Sequence, residues 1–81
     1  MFIIISLVIR RNIVGARVRK ARKAAKPPVT QLELVARLQV LGIKMDQGRL
    51  SKIETGRRPV SDVEIAAIAG ALKVPVSSLF E

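Results

Sequence analysis

The chain has no cysteine, no histidine, no tryptophan and no tyrosine, and only two phenylalanines. Each absence removes a class of function. Without thiols there is no disulfide staple and no thiol nucleophile. Without imidazole there is neither a histidine base nor a zinc site of the ordinary Cys/His kind. So few rings also argue against an RNA-binding module that stacks bases on aromatic platforms. Acid is the next scarcity: six Asp and Glu stand against fifteen Lys and Arg, a formal net charge of +9. Such a surplus attracts polyanions. Apolar residues, by contrast, make up 49% of the 81, enough for one small folded domain. A domain of this size buries only about 60–65% of what its unfolded chain exposes, so it depends on compact helical packing, oligomerisation or both.

The cations are unevenly placed. Arg10, Arg11, Arg17, Arg19, Lys20, Arg22, Lys23 and Lys26 all fall within residues 1–26, which hold no acid. A solvated helix face normally mixes signs, because i,i+4 pairing rewards it. An unmixed run points to anion contact; a merely solubilising surface is the plainer alternative. Ahead of it, Met1 to Ile9 is almost wholly apolar. That is too short to span a bilayer as a helix, which takes about 20 residues. The segment also lacks the basic start and small-residue cleavage site of a secretion signal. No membrane span is expected, and the expected location is the cytoplasm. Its β-branched bias favours a strand exchanged across a dimer, over an extension of the first helix or a segment with no role.

From residue 12 the apolar period becomes helical. Val14, Val18, Ala21 and Ala25 form one stripe, and Pro27-Pro28 stops the helix. Thr30 caps a second helix whose buried face is Leu34, Val35, Leu38 and Leu41, with Gly42 at its end. Asp46 opens a third, Gln47 to Thr55, closed by Gly56. Ser61 and Glu64 have capping-box spacing before a fourth, with Ile65, Ile68, Ala69 and Leu72 inward. Pro75 breaks it, and Val76 to Phe80 gives a last turn or two. The pattern predicts an all-α chain: an apolar and basic extension over 1–11, then one helical domain over 12–81.

The third predicted helix is the informative one. Its two apolar side chains, Leu50 and Ile53, fall about 60° apart on the wheel. Opposite them lie Gly48, Ser51, Lys52 and Thr55, with Gln47 at the edge. A helix anchored on one side, with short hydrogen-bonding groups on the other, suits entry into a major groove. Gly48 costs about 1 kcal/mol of helix propensity against Ala, which points to close approach or register. An ordinary short surface helix would share this pattern, so the surrounding sequence has to decide.

Four segments do so together: Val18-Arg19-Lys20-Ala21-Arg22, Thr30-Gln31-Leu32-Glu33-Leu34-Val35-Ala36, Leu50 through Arg58, and Ala71-Leu72-Lys73-Val74-Pro75-Val76-Ser77. In this order, over residues 12–81, they resemble the Cro/cI-type helix-turn-helix family, also described as XRE-like or lambda-repressor-like. The segment Ile53 to Arg58 carries the most specific likeness. The resemblance implies a five-helix lambda-repressor-like domain that reads double-stranded DNA with its second and third helices, usually as a homodimer on a two-fold operator. Two departures lengthen the connections: Pro27-Pro28 between helices 1 and 2, and Leu38 to Asp46 before helix 3. Val40-Leu41-Gly42-Ile43 reads as an extra turn of helix 2.

The roles implied position by position fit the side chains. Gln47, Gly48, Ser51 and Lys52 fall at base-reading positions, with Gln47 suited to adenine and Lys52 to guanine or a phosphate. Gln31 at the start of helix 2, Arg49, Thr55, Arg57 and Arg58 fall at backbone-holding positions. Arg22 and Glu54 fall where similar proteins hold an ion pair between helices 1 and 3. Val76, Leu79 and Phe80 fall where similar proteins dimerise. No catalytic residue, metal or cofactor is implied: the serines have no base to activate them and the acids form no suggestive pair. The expectation is therefore a dimeric, sequence-specific transcriptional repressor. Two alternatives remain open here, the DNA-binding antitoxin of a toxin–antitoxin pair, with a toxin partner, and a non-specific polyanion or anionic-membrane binder.

Overall fold

The computed structural model describes residues 14–80, and among them every regular element is helical. Helix α1 covers 14–24. It is followed by α2 (Gln31–Val40), α3 (Gln47–Glu54), α4 (Asp62–Leu72) and a short 3-10 helix, η1 (Val76–Leu79). The readings that fall on Met1–Ile9, the strand exchange above all, lie outside the described residues.

Helices α2, α3 and α4 each start on a side-chain cap. The Thr30 hydroxyl accepts from the Glu33 backbone N–H at 3.1 Å, and the Glu33 carboxylate accepts in return from the Thr30 N–H at 3.0 Å. Ser61 and Glu64 repeat this reciprocal box before α4. Asp46 caps α3 by accepting from the Arg49 N–H at 2.8 Å. The three ends share one device. Gly42, Gly56 and Lys73 each take the left-handed conformation, with φ of 83°, 74° and 58°. The following N–H then reaches back to the carbonyl five residues before it: Ile43 to Leu38, Arg57 to Lys52, and Val74 to Ala69. This is the Schellman arrangement, which satisfies carbonyls that a helix end leaves open.

That device corrects the reading of 40–43 as an extra turn of helix 2. The left-handed Gly42 turns the chain out after Leu41, and Ile43 leaves the helix to pack half-buried against the core. Leu41 accordingly misses the core and stands 55% exposed. The connection to α3 is irregular and is held to α2 by the Gln39 amide donating to the Met45 carbonyl at 3.1 Å.

The core gathers one stripe from every helix: Val14 and Val18 of α1, Leu34, Val35 and Leu38 of α2, Leu50 and Ile53 of α3, and Ile65, Ile68 and Leu72 of α4. Val29 and Met45 plug it from the connections, and Leu79 closes it from η1. Leu79 is fully buried while Val76 and Phe80 stay 45% and 41% exposed. The predicted interface trio is thereby corrected: Leu79 belongs to this chain's own core, and only the other two face outward. At the α1–α3 contact, a Cβ on the buried Gly15 would overlap the Ile53 carbonyl oxygen. Glycine there lets two backbones approach that no other residue would tolerate. Arg37 adds a tie between α2 and α4, donating to the Ala71 carbonyl at 3.0 Å.

Candidate nucleic-acid interface

Helix α3 is held from below by three buried side chains, Leu50, Ile53 and Glu54. The third is a carboxylate, and its burial requires partners. Arg22 supplies them by a fork: Nε donates to Glu54 Oε2 at 2.8 Å and Nη2 to Oε1 at 2.9 Å. Its remaining Nη1 donates to the Val29 carbonyl at 3.0 Å, while the Val29 N–H returns a bond to the Arg22 carbonyl. The hydrogen bonds that Arg22 donates to Glu54 hold its guanidinium above its usual pKa against the opposing effect of burial. Among the described residues no buried side-chain nitrogen or oxygen is left without a partner.

From this pair a chain of polar contacts runs to the surface. Gln31, at the first position of α2, donates from Nε2 to Glu54 Oε1 at 3.1 Å. Its Oε1 accepts from Gln47 Nε2 at 3.4 Å. Gln31 is thus a bridge between the buried carboxylate and the first residue of α3, which alters its expected role as a free phosphate donor. Gln47 is exposed, with Gly48 and Lys52 beside it on the outward side and Ser51 half-buried. The short Gly48 sits under its own cap: a Cβ there would come within 3.3 Å of Asp46 Oδ1.

The expected backbone-holding residues divide once placed. Arg57 is exposed beyond the Gly56 turn. Arg58 instead meets Glu64 at 3.3 Å and is partly buried, so it braces the start of α4. The pairing acts on Glu64 in turn: burial pushes its carboxyl up, but the Ser61 N–H and the Arg58 charge outweigh this and hold it below the ordinary value. Arg49 lies 3.9 Å from Asp46, in a solvent-exposed pair with little energetic weight. Thr55 turns its hydroxyl back into the helix, donating to the Ser51 carbonyl at 2.9 Å.

Sequence reasoning overlooked two features near this face. One is Gly15, whose close approach no periodicity reveals. The other is the placement of Arg19 and Lys23, which line a cleft of about 280 Å³ between α1 and α3. Their four-residue spacing was a readable signal, but the cleft exists only once α3 is docked. No helix among the described residues is long and apolar enough to cross a membrane. Compared with known proteins, the chain matches no family model, no curated protein and no solved structure.

Proposed function

We propose that this chain is a sequence-specific, double-stranded DNA-binding transcriptional regulator, a repressor that acts as a dimer and reads the major groove with the outward side of α3. The observation that carries the reading is the construction of that helix. Leu50, Ile53 and Glu54 fix it from beneath, and Gln47, Gly48 and Lys52 are left exposed. A fixed helix with a small hydrogen-bonding face can approach base edges closely, and its long donors match the acceptors of purines. The net charge of +9 supports the approach to a polyanion. Val76 and Phe80 are the apolar side chains offered to a second copy, next to the buried Leu79. No catalytic step or cofactor belongs to this reading.

Selection of bound duplexes from a random pool tests it. Enrichment of a two-fold motif with half-sites one helical turn apart is the expected outcome. A pool that stays random after several rounds, despite binding, would replace this reading with sequence-independent attraction.

A further inference from the structure

The cleft between α1 and α3 gives the basic run of α1 a specific task. We propose that Arg19 and Lys23 seat a backbone phosphate of the duplex against the Ser51–Thr55 side of α3, a second point of hold that rests on the DNA-binding reading above. Four observations lead there. First, Arg19 and Lys23 lie four residues apart on one side of α1 and both are exposed, lining the same cleft as Ser51 and Thr55. Second, the floor of the cleft is the Arg22–Glu54 pair, which cancels its own charge and leaves the two outer cations as the net charge of the site. Third, the ion pairs among the described residues engage Arg22, Arg49 and Arg58, and neither Arg19 nor Lys23. Fourth, Gln31, Thr55 and Arg58 are each committed to internal bonds, so the residues expected to hold the backbone are in part spoken for.

The choice of a duplex backbone over a small free anion follows from the DNA-binding reading. A helix in the major groove lies between two sugar–phosphate walls about 12 Å apart. Helix α1 packs against α3 at Gly15 and Arg22, so on that reading cations at their shared cleft meet a wall when Gln47 and Lys52 are turned to the bases. A phosphate seated there is approached by cationic side chains from α1 and by the Ser51 side of α3, so it also steadies the reading helix.

The test compares two double variants of the full chain by titration of a preferred and a scrambled duplex over a range of salt. Arg19→Gln with Lys23→Gln removes the cleft cations. Arg17→Gln with Lys20→Gln removes the same charge from the same helix outside the cleft. All four side chains lie on the surface or at its edge, and helix content by circular dichroism verifies folding. The cleft variant is expected to lower the slope of log K against log salt by about 0.9 for each phosphate it no longer neutralises. Its ratio of preferred to scrambled binding stays that of wild type, and the Arg17/Lys20 variant keeps nearly the full slope. Equally reduced slopes in the two variants would overturn the proposal in favour of diffuse attraction. So would an unchanged slope in the cleft variant, or a changed sequence preference, which would put α1 in a groove. A wild-type chain that shows no preference between duplexes contradicts the DNA-reading proposal itself, and is seen before any variant is made.

Discussion

Gly15 is the position where one methyl group matters most. The overlap it would create is with the backbone of Ile53, which cannot rotate away as a side chain would. Gly15→Ala gains about 1 kcal/mol of helix propensity in α1 but forces α1 off α3. A net loss of about 1–3 kcal/mol is expected from overpacking of this kind, read as a lower denaturant midpoint. The Arg22–Glu54 fork sets a second demand at this scale. Arg22→Met leaves a buried carboxylate without its main partner and should cost about 3–5 kcal/mol. Arg22→Met combined with Glu54→Leu should recover much of that loss, because two apolar side chains need no counter-charge. A double variant as unstable as the single one would show that the pair is not the source of the effect. The pair's residue types were legible in the sequence only through a resemblance. Burial and the fork geometry required the fold.

Among the elements, starts were easier to read than surfaces. Ser61 with Glu64 and Asp46 before Gln47 announce their helices because a cap is a local event, decided within four residues. Thr30 with Glu33 has the same spacing and forms the same box. Leu41 shows where local reasoning fails. Its spacing continues the Leu34–Leu38 stripe, but the stripe outlasts the helix, and the turn at Gly42 decides which apolar residue goes in. Leu79 fails in the opposite sense: an apolar residue in a short terminal turn looks available until α4 is seen to need it.

The boxes also predict an acid response. Glu64 has a native pKa below the ordinary 4.5, so its contribution is fully present above that value and is lost as the pH falls through the depressed native one. Glu64→Gln should therefore flatten the acid limb of the stability curve between those values. Thermal melts at closely spaced pH settle this, and an unchanged limb would remove the Ser61–Glu64–Arg58 cluster as its cause.

Across the whole molecule, the proposed function divides labour between a fixed helix and the cations around it. Association belongs here too. With Leu79 inside the core, Val76 and Phe80 carry what apolar surface η1 and the residue that caps it offer a second copy. Phe80→Asp should shift sedimentation toward monomer and weaken binding to a two-half-site duplex, while folding is kept because Leu79 is untouched. A dimer of unchanged strength would place the contact elsewhere. The proposed DNA-facing surface was the least legible part of the sequence. Charge and a polar helix face are readable from residues alone, but the relay from Glu54 through Gln31 to Gln47 depends on how α2 and α3 pack and appears only in the fold.

Gln47 stands at the end of that relay, and its replacement asks whether α3 distinguishes one sequence from another. The measurement is the affinity of wild type and Gln47→Ala for a preferred and a scrambled duplex at one fixed salt concentration. If α3 reads sequence, the variant loses about 1–3 kcal/mol on the preferred duplex and almost nothing on the scrambled one. It also relaxes the choice at one position per half-site. An equal loss on both duplexes would contradict the account, because Gln47 would then hold the backbone and some other surface would do the reading.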